Sequence, residues 1–310
     1  MNKKIWTLLK IIVTITAIYF LVYKTGFENI INAIKTISIP FLIIAALIHL
    51  VYLTVGAENI RAFIQAISKK ISFKKSWEYY AKSWAWGMII PGKMGDLSLI
   101  YYLKKEKIGY SQGLAVSVLV KIASFFVLGL FSAIGLFMFV KQPYSYLILI
   151  AYFFGLAVTI ILLMSKKFFT MLGNVFKKYS KQIESFGKSV KMGLQHKKYF
   201  FSGLGLTILR WIVDGCTNYA IFLGFGISIP FYYVVIISAL SSLIAMIPIT
   251  ISGLGIREGT KTYFYSLVGV PVGIAAGVAV IYIILLYLFT AVFLIFGKTK
   301  TNNSKVINKN

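Results

Sequence analysis

The apolar segment 245–259 contains features that a membrane helix facing lipid does not tolerate. It holds Pro248, three glycines and the adjacent charged residues Arg257 and Glu258. Bilayer hydrocarbon cannot satisfy the hydrogen bonds of a broken backbone, and it excludes charge that faces lipid. The segment is therefore expected to be buried in protein or to line a watery cavity, and it is the first candidate for a functional site.

The composition is that of an integral membrane protein. The chain has 310 residues, of which 59% are hydrophobic, and its mean hydropathy is +0.83. Its formal net charge of +25 comes from 33 Lys and Arg against 8 Asp and Glu. The basic residues lie between apolar stretches, which is typical of cytoplasmic loops that face anionic inner-leaflet lipid. We therefore predict membrane lipids as partners and no nucleic acid.

The residues that usually carry catalysis or bind metal are sparse. Cys216 is the only cysteine, and His49 and His196 are isolated in sequence, so neither a disulfide framework nor a metal site is predicted. The sequence has no phosphate-binding loop, no Ser/His/Asp set and no His-Glu-x-x-His motif. We predict no cofactor and no catalytic residues, and an enzyme is the less favoured interpretation.

Apolar stretches define the organisation of the chain. A helix of about 20 apolar residues crosses a bilayer. Two further segments, 77–103 and 231–267, are interrupted by Pro and Gly, and each is predicted to be two half-helices that enter and leave on the same side. The predicted fold is an all-α polytopic membrane protein with about six transmembrane helices and two re-entrant hairpins. The predicted spans are 5–23, 39–57, 113–140, 146–164, 200–224 and 272–296.

The distribution of Lys and Arg favours the re-entrant interpretation. With the N-terminus inside, the basic loops 61–75, 104–107 and 165–198 fall on the cytoplasmic side, whereas two extra full crossings would place some of them outside. We predict a multi-pass protein of the cell membrane with both termini cytoplasmic. Residues 1–297 form one membrane domain, and 298–310 form a disordered basic tail. The loop 165–198 is amphipathic in places, which fits a position on the inner-leaflet surface or a plain connection.

The two interrupted segments are similar to each other, which indicates an internal repeat. An Ile-Pro pair followed by glycine and an acidic residue occurs at 90–96 and again at 247–258. The proposed repeats, 39–140 and 200–296, are separated by an odd number of crossings and therefore face opposite ways. Inverted repeats whose interrupted helices meet near the bilayer midplane are a recurring plan among transporters.

The two breaks also resemble the motifs of a known family. Residues 91–96 read PGKMGD and resemble a Pro-x-Arg-x-Gly-Glu element, and residues 248–259 read PITISGLGIREG and resemble a Pro-x-x-x-Gly-Gly-Leu-Gly-x-Arg-Glu element. The chain is similar over most of its length to the flippase-like membrane domain of lysylphosphatidylglycerol synthases and their stand-alone relatives. Lys93, Asp96 and Leu99 stand where that family usually has Arg, Glu and Arg.

The resemblance implies lipid handling. We predict a translocase that moves an anionic or aminoacylated phospholipid, or a polyprenyl-phosphate-linked sugar, between leaflets. Only a short tail follows the last span, so we expect a stand-alone member without the soluble aminoacyl-transfer domain. The alternatives are a membrane subunit of a phosphatidylglycerol lysyltransferase-type enzyme and a non-transporting scaffold for envelope biosynthesis. An envelope glycosyltransferase or a lipid synthase is the protein partner that these interpretations predict.

Basic residues at the start of a half-helix form a receptor for phosphate, because the free N–H groups and the helix dipole add to their charge. Lys93 and Arg257 have such positions, and Arg257 can bind phosphate through two parallel hydrogen bonds. Arg210 and Asp214 lie deep in a predicted span at i,i+4 spacing. Glycines near the breaks allow close approach of a ligand. The predicted substrate-binding residues are Gly92, Lys93, Gly95, Asp96, Arg210, Asp214, Gly253, Gly255, Arg257 and Glu258.

The acidic residues at the two breaks fit three roles. Asp96 and Glu258 can neutralise the basic residues when no substrate is bound, bind an amine of the head group, or carry a proton that couples transport to a gradient. A purely structural role is the alternative, in which Arg257 and Glu258 tie the hairpin to the bundle and Lys93 extends to the membrane surface.

Overall fold

The computed structural model describes residues 3–68, 70–90, 97–246, 250 and 252–296. Within these ranges the regular elements are helices, so the chain is an all-α polytopic membrane protein, as predicted. The predicted tail 298–310 lies outside the described residues. The helices are α1 (Lys3–Thr25), α2 (Phe27–Lys35), α3 (Ile39–Ile67), α4 (Phe73–Ile89), α5 (Ser98–Lys105), α6 (Tyr110–Phe139), α7 (Tyr144–Met164), α8 (Lys166–Val175), α9 (Ser180–Gln195), α10 (Lys197–Gly224), α11 (Phe231–Ala245), α12 (Ile256–Leu267) and α13 (Val272–Phe296).

Four helices in the described part of the chain are long and apolar enough to cross a membrane. They are α3, α6, α7 and α13, the last over Val272–Ile295. The two other predicted spans also fall on helices, α1 with 23 residues and α10 with 28 residues. The α10 helix has a lower hydropathy because it carries Arg210 and Asp214 in its interior, and both side chains are buried among neighbouring helices.

The helix in the first interrupted segment ends where a proline follows. Ile90 precedes Pro91 and has an extended backbone (φ −78°, ψ 126°), because a residue before proline is disfavoured in the α region. The next helix, α5, returns alongside α4. The Tyr79 and Tyr102 rings stack at 5.6 Å, and Lys75 at the start of α4 lies 2.8 Å from Glu106 beyond the end of α5. In the first hairpin (α4 and α5), the start of α4 therefore lies beside the end of α5.

The second interrupted segment also folds back on itself. Ser238 stands seven positions before the end of α11, and Tyr265 stands nine positions after the start of α12. Their hydroxyl oxygens nevertheless lie 3.4 Å apart, so the two helices run back along each other. Phe264 of α12 also packs against the apolar cluster that contains Leu240 of α11. The second hairpin (α11 and α12) thus consists of two helices that lie side by side and antiparallel.

The helices α3 and α10 pack closely against each other. The Asn59 side chain donates to the carbonyl oxygen of Gly203 at 2.6 Å and to the hydroxyl of Thr207 at 2.9 Å. Close approach of the two helices requires a glycine here, because a Cβ atom at position 203 would lie 2.7 Å from a ring carbon of Phe63. A second glycine, Gly205, stands on the same helix with open space at its Cβ position.

We expect Gly203→Ala to lower the free energy of unfolding by about 1–3 kcal/mol, because the added methyl group displaces Phe63 from a packed core. Gly205→Ala is the matched control and should be neutral or slightly stabilising, since alanine favours the helix by up to about 1 kcal/mol. Thermal unfolding of both variants in the same detergent measures the difference. Equal stability of the two variants would mean that the Phe63 ring can shift without loss of packing.

The segment 165–198 is helical rather than a plain loop. The helices α8 and α9 are joined by a short 3-10 turn at Lys177–Tyr179, and Phe169 of α8 packs against Gly187 of α9. In α8, Phe169 is buried, whereas Lys166 and Lys167 are exposed together with the apolar Met171 and Val175. This confirms the amphipathic character, while the position on the inner-leaflet surface stays a prediction.

Candidate functional site

The structure describes six of the ten predicted site residues. Gly92, Lys93, Gly95 and Asp96 lie outside the described residues. Of the other six, Arg210 and Asp214 are buried in the middle of α10, whereas the remaining four surround the second break. These four are Gly253, Gly255, Arg257 and Glu258.

Backbone conformation explains both glycines of the second break. Gly253 and Gly255 have φ values of 80° and 81°, in the left-handed region that favours glycine. Side chains would also collide with neighbours there, since a Cβ atom at Gly255 would lie 2.7 Å from the Cβ of Ala17 on α1. The predicted role of these glycines, close approach to a ligand, is therefore not needed to explain their presence.

Arg257 and Glu258 form a buried ion pair within the first turn of α12. The Nη2 atom of Arg257 lies 2.8 Å from Oε1 of Glu258, and the guanidinium Nε donates to the same oxygen at 2.8 Å. The second carboxylate oxygen of Glu258 accepts the backbone N–H of Gly255 at 2.8 Å and thereby caps the helix. The pair is thus neutralised inside the hairpin, which is the first of the roles predicted for Glu258.

A larger polar cluster connects this pair to α10 and α13. Asp214 accepts hydrogen bonds from the Tyr282 hydroxyl and from the Asn218 side chain. The Lys261 ammonium donates to Asn218 at 2.9 Å and lies 4.3 Å from the centre of the Tyr282 ring. The cluster contains two acidic and two basic side chains, so its formal net charge is zero. We call this set the buried charge cluster; its members are Asp214, Asn218, Arg257, Glu258, Lys261 and Tyr282.

Arg210 points away from this cluster, toward α4 and α6. Its Nη2 donates to the Ser124 hydroxyl at 3.0 Å, its Nη1 lies 3.5 Å from the Tyr80 hydroxyl, and its guanidinium lies 5.9 Å from the centre of the Tyr52 ring. The i,i+4 spacing places Arg210 and Asp214 on one side of α10, as predicted, but they reach different neighbours. Arg210 and Asp214 therefore belong to two separate polar regions.

The region around Arg210 is a cavity of about 170 Å³ between α3, α4, α5, α6, α10 and α11. Arg210 and Lys121 are the basic residues of its lining, and four serine hydroxyls surround them. The described part of the lining includes no carboxylate. We call it the central cavity; it is lined by Tyr52, Ile60, Tyr80, Ser83, Trp84, Gly87, Met88, Leu99, Ser117, Val120, Lys121, Ser124, Leu128, Arg210, Trp211, Ser242 and Met246.

Two cations and several hydroxyls around one small volume can bind an anion. Hydrogen bonds from a charged donor to phosphate are about twice as strong as neutral ones, and serine hydroxyls supply further donors. Lys121 was missed from the sequence, although a single lysine inside the predicted span 113–140 is a recognisable signal of a functional site.

The two hairpins meet at the wall of the central cavity. The Ser252 hydroxyl, which is buried at the second break, lies 3.3 Å from the carbonyl oxygen of Gly87 and 3.3 Å from that of Met88 at the end of α4. Gly87, Met88 and Met246 all line the cavity. The ends of α4 and α11 thus approach each other at the cavity, and Ser252 connects them.

The fold and the polar interior define a polytopic helical membrane protein with two interrupted hairpins beside a basic cavity. The family model described as the lysylphosphatidylglycerol synthase TM region matches residues 7–293, so the chain belongs to this family. The family expected from the motifs at 91–96 and 248–259 is confirmed.

Similar proteins of three archaea are named UPF0104 membrane proteins. One from Methanothermobacter thermautotrophicus is 31% identical over 99 residues, which cover 32% of this chain and 29% of the relative. A relative from Methanocaldococcus jannaschii is 26% identical over 66% of this chain and 89% of its own length. A third, from Pyrococcus horikoshii, is 22% identical over 88% of this chain and 90% of its own length. These names give a membrane location and no reaction.

Proposed function

We propose that the protein moves a lipid with a phosphate-containing head group between the leaflets of the cell membrane. The observation that carries this proposal is the central cavity, in which Arg210 and Lys121 lie among hydroxyl groups where the two hairpins meet. The predicted substrates share a phosphate group, whether they are anionic phospholipids, aminoacylated phospholipids or polyprenyl-phosphate-linked sugars. A phosphate is therefore the part of the head group that the cavity would bind.

The depth of the cavity supports translocation rather than surface binding. Arg210 stands at the middle of α10, about 20 Å from either helix end at a rise of 1.5 Å per residue. A charge at such a depth is costly unless it is paired or hydrated. A phosphate passing the midplane would accept hydrogen bonds from Arg210 and the serine hydroxyls, and these donors would replace part of its hydration shell.

The size of the cavity separates the head group from the lipid tails. A volume of about 170 Å³ is below the roughly 300–1,000 Å³ of pockets that enclose drug-sized ligands. The cavity therefore suits a phosphate with its nearest substituents, and the acyl or prenyl chains would remain in the bilayer. Each hairpin would act as a re-entrant element, one from each side of the membrane, as in transporters built from inverted repeats.

The test is lipid exchange in proteoliposomes. The purified protein should accelerate the exchange of a fluorescent phosphatidylglycerol between leaflets, measured by chemical quenching of the outer leaflet. Arg210→Gln and Lys121→Gln should each slow this exchange roughly tenfold, since a charge-assisted hydrogen bond contributes about 1.5–3 kcal/mol. Lys188→Gln is the matched control, because Lys188 is exposed, forms an ion pair with Glu184 and does not line the cavity.

Three outcomes would contradict the proposal. Equal exchange rates in the Arg210→Gln variant and the unmodified protein would show that Arg210 in the cavity does not bind the head group. Formation of an aminoacyl-lipid or glycosyl-lipid by the purified protein would favour the transferase alternative. No acceleration of exchange at all, with a folded protein, would favour the scaffold alternative.

A further inference from the structure

The helices α8 and α9 connect two membrane-spanning helices, α7 and α10. Helix α7 ends at Met164, and α8 begins two residues later at Lys166. Only 6% of the apolar stretch of α7 is buried, and Ile161 and Met164 in its last turn are exposed, so α7 faces lipid up to its end. Helix α10 begins at Lys197, and Phe201 in its first two turns is 62% exposed. The chain thus leaves and re-enters the membrane at the two ends of the α8–α9 unit, which holds this unit at the membrane surface.

The packing of α8 and α9 fixes which side of α8 points outward. Phe169 of α8 is buried, and its ring centre lies 5.7 Å from that of Phe186 on α9. Helix α9 is in turn anchored in the bundle, because Val190 belongs to the buried core that also contains Leu119 of α6. The side of α8 away from Phe169 is exposed and forms a shallow open groove. The residues of this groove are Lys166, Lys167, Thr170, Met171, Asn174 and Val175.

The exposed side combines large apolar side chains with lysines. Two lysine pairs border it, Lys166 with Lys167 at the start of α8 and Lys177 with Lys178 after its end. An interfacial amphipathic helix has this composition, because its apolar side chains insert beside acyl chains while its lysines extend to the head groups. Four large apolar or aromatic side chains between and beside these pairs are each more than half exposed. They are Met171, Val175, Phe176 and Tyr179.

The charge of this unit favours anionic lipid over other occupants of the surface. Residues 165–198 contain nine lysines and one acidic residue, Glu184. A second copy of the chain would bring the same lysine pairs against one another, which is repulsive. Zwitterionic lipid would cover the apolar side chains but offer the lysines no net opposite charge. An anionic leaflet meets both needs, and each lysine near it strengthens binding about fivefold.

We propose that α8 and the turn that follows it form a docking surface for anionic phospholipids. The apolar side chains insert beside the acyl chains of the adjoining leaflet, and the two lysine pairs bind lipid phosphates. In the predicted topology this is the cytoplasmic leaflet. The inference goes beyond the proposed function, because binding here involves neither the central cavity nor exchange between leaflets.

The first test measures the depth of α8 in the membrane. In the Cys216→Ser background, a nitroxide label on Val175→Cys reports collisions with oxygen, which enters the acyl chains, and with a water-soluble nickel chelate. Ser185→Cys, on the exposed side of α9, is the matched control. In nanodiscs of phosphatidylglycerol, the ratio of oxygen to nickel collisions should be several times higher at position 175 than at position 185. Equal ratios at the two positions would overturn the docking surface.

The second test asks whether the surface selects anionic lipid. Replacing phosphatidylglycerol by phosphatidylcholine should lower the oxygen-to-nickel ratio at position 175. In phosphatidylglycerol, Lys166→Gln with Lys167→Gln should lower it as well. Lys188→Gln with Lys191→Gln removes two exposed lysines of α9 and should leave the ratio unchanged.

Two results of the second test would overturn the proposal. A ratio that is equally high in both lipids would show apolar insertion without selection of anionic lipid. A ratio that is low in both lipids, and that rises when an acidic peptide is added, would assign the surface to a protein partner. Each result holds whether or not the protein exchanges lipid between leaflets, so it can be told apart from a failure of the proposed function.

Discussion

Glu258→Ala is expected to lower the free energy of unfolding by about 3–5 kcal/mol. The side chains of Arg257 and Glu258 are only 10% and 2% exposed, so the variant leaves a buried guanidinium without its counter-charge. It also removes the acceptor for the backbone N–H of Gly255, a cap worth about 1 kcal/mol. Thermal and denaturant unfolding in a fixed detergent measures the loss.

Two further variants separate the causes of this loss. Glu184→Ala removes another carboxylate with a lysine partner, but that pair is largely exposed, and the expected change is below about 1 kcal/mol. The double variant Arg257→Met with Glu258→Met replaces the whole pair by apolar side chains and should recover much of the stability lost in Glu258→Ala. If the single Glu258 variant is as stable as the unmodified protein, water reaches Arg257 and the pair is not buried.

Local signals in the sequence were sufficient to locate the breaks. Pro91 and the Gly253–Gly255 pair interrupt apolar segments, and a helix cannot continue through them without losing hydrogen bonds. The helices α4, α5, α11 and α12 end or begin beside these positions, as predicted. Such signals are reliable because they depend on the backbone conformation of a few consecutive residues and not on distant contacts.

The partners of the buried polar residues could not be predicted in the same way. Asp214 and Arg210 have the spacing of an ion pair, yet Asp214 bonds to Tyr282 on α13 and Arg210 to Ser124 on α6. Which helices face α10 at that depth depends on the packing of the whole bundle. Lys261 was missed for a related reason. The sequence around it did not reveal that its side chain would be buried against Asn218 of a distant helix.

The separation of the two polar regions has a functional consequence. The buried charge cluster has balanced charges and tight hydrogen bonds, which suit a fixed structural element. The central cavity, in our proposal, binds a phosphate through the Arg210 and Lys121 side chains and the serine hydroxyls of its lining. Our proposal therefore transfers the main binding role from Arg257, at the second break, to Arg210 and Lys121.

Cross-linking the two hairpins is expected to reduce lipid exchange to the rate of protein-free vesicles. Alternating access in transporters with interrupted helices requires one element to move against another. The hydroxyl of Ser252 lies 3.3 Å from the carbonyl oxygen of Gly87, so the two backbones are close enough for a short bis-methanethiosulfonate to join cysteines at these positions. Cys216→Ser provides a background without other cysteines, and a reducing agent should restore exchange.

A second cysteine pair distinguishes loss of motion from damage by the reagent. In the Cys216→Ser background, Gly173→Cys with Ser180→Cys places the cross-link in the α8–α9 region, where a Cβ at position 173 would lie 2.9 Å from the Ser180 hydroxyl. This pair should leave exchange unchanged, because α8 and α9 are remote in sequence from both breaks. If the protein cross-linked between positions 87 and 252 exchanges lipid at the uncross-linked rate, the hairpins do not separate during transport, and the head group must follow a path that bypasses their contact.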